Sequence, residues 1–206
     1  SISYLLISKQ VRDFKLHWGV IMGSFSFNTT PGMRFGNHSV SNNIEDIRKC
    51  LGEKILFITD KGIINLGLGE STISQLRKLS ELLVIFDEVE ADPSLNTLEK
   101  AIDCGKSNRC TGIIGFGGGS SMDVAKLAAL ILGSDEELDS AWGVGVACGP
   151  RLPLVLVPTT AGTGSEVTPV SIITVGEHEK RGVSSPIILP DLAILDPLLT
   201  KGLPKK

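Results

Sequence analysis

Two patterns of apolar residues alternate along the chain and predict different elements. Lys54–Thr59 (KILFIT), Leu82–Phe86, Gly112–Phe116 and Pro153–Val157 are short, nearly continuous apolar runs. Runs of this length belong to parallel strands buried on both faces. Between them apolar residues return at helical spacing: Ile44, Ile47 and Leu51; then Ile73, Leu76 and Leu79; then Leu95, Leu98, Ala101 and Ile102; then Val124, Leu127, Ala128 and Ile131. Gly52 can close the first helix, and Asp92-Pro93 marks a turn. The order helix, strand, helix, strand, helix, strand, helix predicts a doubly wound α/β fold with a parallel sheet. Thr168–Val175 and Leu192–Leu195 read as further strands, with His178, Glu179, Lys180 and Arg181 as a charged turn between them. Residues 1–30 are the least legible; SISYLLIS and Val20–Phe27 suggest strands of an N-terminal extension whose role is open.

The chain is organised around Gly112–Leu132. An apolar strand runs into Gly117, Gly118 and Gly119, and a helix follows at once. Residues without a Cβ allow a sharp turn and a close ligand approach. Ser120 or Ser121 can cap the helix, and Asp123 is expected in its first turn. The N–H groups at the positive end of such a helix suit a phosphate, although a purely structural turn has the same pattern. The usual dinucleotide fingerprint wants an acid about 20 residues further on. Asp135 and Glu136 come too early and Asp139 falls in a polar loop, so the acid is sought upstream.

Asp60 supplies one, at the end of the KILFIT strand. A carboxylate there can accept hydrogen bonds from ribose hydroxyls, or it can be a solvated turn residue. Pro158–Glu166 (PTTAGTGSE) adds a second cradle directly after a strand. Hydroxyls donate to phosphate and ribose oxygens while glycines clear space. In open α/β sheets ligands bind outside the carboxyl ends of the strands, where all three segments fall.

Composition narrows the partners. A net charge of −3 and 5% aromatic residues give no basic surplus and no stacking platform for nucleic acid. No apolar run approaches the ~18 residues of a membrane span. Lys9, Arg12, Asp13 and Lys15 spoil a secretory leader, so a cytoplasmic protein is expected. Cys50, Cys104, Cys110 and Cys148, like the three histidines His17, His38 and His178, have no metal-site spacing, and no metal site is expected. The chain begins with Ser, which suggests processing or a piece of a longer product.

The motifs GGGSSMDVAK (Gly117–Lys126) and PTTAGTGSEVTP (Pro158–Pro169) resemble those of the iron-containing (group III) alcohol dehydrogenases. So do FITDKG, RFG (Arg34–Gly36), Asp92-Pro93 and LPDLAILDPLLTKGLP (Leu189–Pro204). The resemblance implies a Rossmann-like dinucleotide-binding domain over residues 31–206. It places the pyrophosphate at Gly117, Gly118, Gly119 and Ser120. It places Asp60 at the adenosine ribose, where its charge disfavours a 2′-phosphate and tilts the choice to NAD, with NADP still open. It matches Asp123 to a family aspartate, beside its plain reading as an N-terminal cap. Thr159, Thr160 and Thr163 match the threonine loop beside the cofactor, and Lys180 matches a lysine that reaches the nicotinamide ribose.

The implied activity is hydride transfer between an alcohol or aldehyde and the nicotinamide, in a homo-oligomer. The family's iron or zinc is held by a C-terminal helical domain whose ligands follow the point where this chain stops. Asp196 belongs to the DP motif and matches no metal ligand, and no catalytic residue is assigned. The alternative is a stand-alone dinucleotide-binding protein without dehydrogenase activity.

Overall fold

The computed structural model describes residues 26–134, 136–177 and 179–202. The strands suggested within residues 1–25 therefore lie outside the described residues. Ser26 and Phe27 are not in a strand, and Phe27 is exposed.

Along the chain come β1 (Met33–Phe35), α1 (Ser39–Asn42), α2 (Ile44–Leu51), β2 (Lys54–Ile58), α3 (Lys61–Asn65) and α4 (Glu70–Leu79). They are followed by β3 (Leu82–Phe86), α5 (Leu95–Ser107), β4 (Gly112–Gly117), α6 (Gly119–Gly133) and α7 (Leu138–Ala141). The remaining strands are β5 (Gly143–Val144), β6 (Leu154–Pro158), β7 (Val170–Val175), β8 (Glu179–Ser184) and β9 (Leu192–Leu195), with short 3-10 turns at Ser165–Val167, Pro186–Ile188 and Pro197–Thr200.

Six strands form one sheet in the order β1-β9-β6-β4-β2-β3, with every pair parallel. Alternate residues of its central strands feed two separate cores. Leu56, Ile58, Ile113, Leu154 and Leu156 face α5 and α6. Ile55, Phe57, Ile114, Phe116, Val155 and Val157 face α1, α2 and α4. Phe57 and Phe116 stack in the second core with ring centroids 5.4 Å apart. Burial on both faces explains why these strands read as continuous apolar runs and not as alternation.

A second sheet, β5-β8-β7, covers the far side of α6. Its Ile173 and Val183 join the same core as Met122, Val124 and Leu127 of that helix. Packed from both sides, α6 is apolar nearly all round, as a fully buried helix must be.

Three expectations change. β1 is a strand, paired through Met33↔Ala193 and Phe35↔Leu195. Its side chains are all exposed, so hydropathy carried no signal for it. The segment read as a charged turn is mostly β8, which pairs antiparallel with β7, Thr174 opposite Lys180. Backbone pairing holds it while its charged side chains stay in solvent. Leu79 does not point inward; at the last turn of α4 it is 37% exposed, whereas Leu76 is fully buried.

Candidate dinucleotide site

The chain passes from β2 to β3 on one side and then to β4 on the other. This reversal opens a crevice at the carboxyl ends of β2 and β4, the usual ligand position in such sheets. The register Ile58↔Gly115 and Gly117↔Pro158 brings three loop starts together there: Asp60 after β2, Gly117–Gly119 after β4, and Thr159–Thr160 after β6. The Thr159 N–H donates to the Gly117 carbonyl at 2.9 Å, tying the glycine turn to the threonine loop.

Asp60 is neither fully solvated nor disordered. It is the N-cap of α3, and its Oδ1 accepts from the Ile63 N–H at 3.0 Å. Such a cap is worth about 1 kcal/mol. The other oxygen, Oδ2, lies 3.4 Å from the place a Cβ on Gly117 would take.

Helix α6 starts at Gly119, two residues or more before the start that a cap at Ser120 or Ser121 implies. Gly118 is its N-cap, and neither Ser120 nor Ser121 caps it. With no side-chain cap, the first N–H groups of the helix lack an internal partner and suit an anion. Gly117 serves packing and lines neither cavity described next: its added Cβ would stand 2.6 Å from Ser121 Oγ. Gly118 is different, since a Cβ there meets Thr160 only at an ordinary 3.5 Å.

Asp60, Gly118, Gly119, Ser120, Thr159 and Thr160 line one cavity of about 520 Å³. The Thr159 hydroxyl is buried and makes no hydrogen bond within the protein. A polar atom of that kind calls for an outside partner. A neighbouring cavity of about 490 Å³ is lined by Gly119, Ser120, Asp123, Thr163 and Lys180, together with Asp92 and the apolar Val170 and Ile172. Gly119 and Ser120 belong to both, so the glycine turn is a shared wall. The structure thus brings together nine of the ten sequence-predicted residues, and Gly117 stands directly behind them.

Asp123 does not sit in the first turn of α6 and does not cap it. Its Oδ1 accepts from Ser165 Oγ at 2.6 Å and its Oδ2 from the Ile172 N–H at 3.1 Å. Burial raises its carboxyl above the ordinary range, against the lowering effect of Ser165, Lys126 and Ile172. Lys180 is exposed at the rim and forms an ion pair with Asp92, which the left-handed turn at Asp92 (φ 53°) aims at it. Next to that turn, Glu90 accepts from the Ser94 N–H and from Thr97 Oγ1. Burial works against its ionisation, yet these bonds hold its carboxyl below the ordinary value.

Lys126 had no assigned role in the sequence reading. It is fully buried and hydrogen-bonded to Ser165, Thr168 and Val170. The available signal was a lysine inside the apolar stripe of Val124, Leu127 and Ala128, three residues after an aspartate. Among the described residues no group of three or more His, Cys, Asp or Glu side chains could hold a metal ion, and no helix is long and apolar enough to cross a membrane.

Comparison with known proteins supplies a family. The model of the iron-containing alcohol dehydrogenases matches residues 30–197. The sulfoacetaldehyde reductase of Bilophila wadsworthia is 30% identical over 89% of this chain and 48% of its own. The crystal structure of a 1,3-propanediol oxidoreductase superposes with a TM-score of 0.83 at 32% identity, over 88% of this chain and 48% of that one. The sulfoacetaldehyde reductase of Bifidobacterium kashiwanohense, solved in complex with NAD+, superposes with a TM-score of 0.77 at 30% identity, over 89% and 49%. The chain spans about half the length of these relatives.

Proposed function

The chain belongs to the iron-containing alcohol dehydrogenase family, and on that premise we propose that its crevice binds NAD for hydride transfer between a small alcohol or aldehyde and the nicotinamide. The observation that carries this reading is the convergence of Asp60, the uncapped start of α6 and the unpartnered Thr159 hydroxyl on one cavity. Residues 31–206 act as the dinucleotide-binding unit.

Each group has a part set by its chemistry. Asp60 Oδ2 accepts from the adenosine ribose hydroxyls, since Oδ1 is already engaged by Ile63. A 2′-phosphate would meet that carboxylate as a like charge, which favours NAD over NADP. The pyrophosphate sits at the N-terminus of α6, against Gly118, Gly119 and Ser120. Thr159 and Thr160 donate to phosphate oxygens from the opposite wall. The nicotinamide half extends into the second cavity, with Thr163 and Asp123 along its wall and Val170 and Ile172 as its apolar side. Lys180, steadied by Asp92, reaches the nicotinamide ribose. These residues bind and orient the cofactor; a fixed ring leaves C4 presented in one direction, which is the entropic part of hydride transfer.

The family's name implies iron. The described residues contain no donor set that fits a metal. The substrate class is a small alcohol or aldehyde, and the active form is a homo-oligomer.

Calorimetric titration with NAD tests the reading. Saturable binding is expected in the protein, with loss of binding in Gly118→Val. No saturable binding, or unchanged affinity in that variant, overturns it.

A further inference from the structure

We infer that Lys126 is a positioning residue that fixes the threonine loop against the glycine turn, and so sets the width of the dinucleotide cleft. Its functional arm rests on the cofactor reading above; its structural arm does not.

The threonine loop leaves β6 and ends at the 3-10 turn Ser165–Val167. Its near end is held to β4 by the bond from the Thr159 N–H to the Gly117 carbonyl. Its far end is held by Lys126. The ammonium donates to Ser165 Oγ at 2.8 Å, to the Thr168 carbonyl at 3.0 Å and to the Val170 carbonyl at 2.8 Å. Ser165 Oγ in turn donates to Asp123 Oδ1 at 2.6 Å, on the same helix as the lysine. Ser171 Oγ donates to the Asp123 carbonyl at 2.9 Å. Helix α6 therefore carries the glycine turn at its start and, one to two turns further on, the anchor of the opposite wall.

The ammonium has three hydrogens and three acceptors, so every donor is used. Packing alone does not require it, because an apolar side chain of similar volume fills such a place at no desolvation cost. What an apolar residue cannot do is bind two carbonyls and a hydroxyl at defined directions. The carboxylates facing Lys126 are Asp123 from its own helix and Glu166 from the 3-10 turn. The third packed element, β7, has no titratable side chain between Val170 and Val175. Asp123 stands 3.8 Å away, so the pair is a loose one and the hydrogen bonds dominate.

Protonation matters to this anchor. Burial lowers the Lys126 ammonium to about 8 against the opposing pull of Asp123 and Glu166. A neutral amine has two hydrogens for three acceptors. The far end of the loop is thus fully held in the protonated state and loosened above that pH.

Hydrogen exchange and NAD titration on the protein, on Lys126→Met and on Ser165→Ala test the inference. Expected in Lys126→Met is about tenfold lower protection of the amides from 160 to 170, with β2 and β4 unchanged, and about tenfold weaker NAD binding. Ser165→Ala, which keeps the lysine, should loosen the same amides to a lesser degree. In the unmodified protein the protection of this segment should fall as the pH rises through about 8, and NAD affinity should follow it; in Lys126→Met both should be flat. Unchanged protection from 160 to 170 in the variants overturns the inference. A flat pH profile in the unmodified protein overturns it even if Lys126→Met does not fold. If the unmodified protein binds no NAD, the cofactor reading fails while the exchange data still decide the anchor.

Discussion

Asp60 Oδ2 and the α-carbon of Gly117 face each other at the floor of the crevice: a methyl on that glycine would stand 3.4 Å from the carboxylate. Asp60 lies two residues past the end of β2, and Gly117 ends β4. Their approach joins a ribose-type acceptor to an anion-type helix start, and it depends on the parallel pairing of the two strands.

The glycine turn should respond differently at adjacent positions. Gly117→Ala drives a methyl to 2.6 Å from Ser121 Oγ, within the floor of the site. It should lower stability by about 1–3 kcal/mol, as overpacking does. The Cβ of Gly118→Val has room against Thr160, and the variant should melt within a few degrees of the parent while losing NAD binding. Urea unfolding and calorimetry on both variants separate packing from ligand approach.

Asp60→Ser keeps a side chain that caps α3, so stability should change by less than about 1 kcal/mol. The negative charge is gone, and the NADP-to-NAD affinity ratio should rise by about tenfold or more. An unchanged ratio would place the adenosine ribose elsewhere.

Acid stability should depend on Asp191. Burial opposes its ionisation, but bonds from Arg151 and the Leu154 N–H outweigh it and hold the carboxyl below the ordinary 3.8. A depressed value stabilises the fold above the ordinary value, and that contribution disappears as pH falls through the folded one. Asp191→Asn should therefore be less stable at neutral pH, with the gap to the parent narrowing below about pH 4. Urea midpoints measured down to acid pH check it.

Lys126 gives a slope of the same sign on the alkaline side. Its value falls from an ordinary 10.5 to about 8 in the fold. Between these values the unfolded chain binds more protons, so this group's contribution to global stability rises with pH. The threonine loop loosens over the same range. A urea midpoint that rises with pH relative to that of Lys126→Met, together with loop protection that falls in the parent alone, would show the two effects in one titration.

Gly115→Ala probes the contact of α6 with the sheet. Its Cβ would stand 2.7 Å from Ala125 Cβ and 2.8 Å from Leu156 Cδ2. A loss of about 1–3 kcal/mol is expected by thermal or urea unfolding. Because the helix carries one wall of the crevice, NAD affinity should fall with it.

The sequence by itself determined what depends on near neighbours. Continuous apolar runs marked β2, β4 and β6 because both faces of each are buried, and the half-buried edge strand β3 carries the same signal; helical spacing marked α2, α4, α5 and α6. Glycines and hydroxyls directly after strands marked the two loops, and a strand-end acid marked Asp60. The tertiary structure decided what depends on distant partners. β1 and β8 are held by backbone pairing and expose charged or apolar side chains alike, so their hydropathy is uninformative. Asp123 proved to be a brace and not a cap because its partners, Ser165 and Ile172, lie 42 and 49 residues away. Lys126 looked like a polar interruption of an apolar stripe. Only the segment from the 3-10 turn at Ser165 into β7, laid across α6, encloses its ammonium and gives it three acceptors, since burial of a charge is stable only where every hydrogen finds a partner.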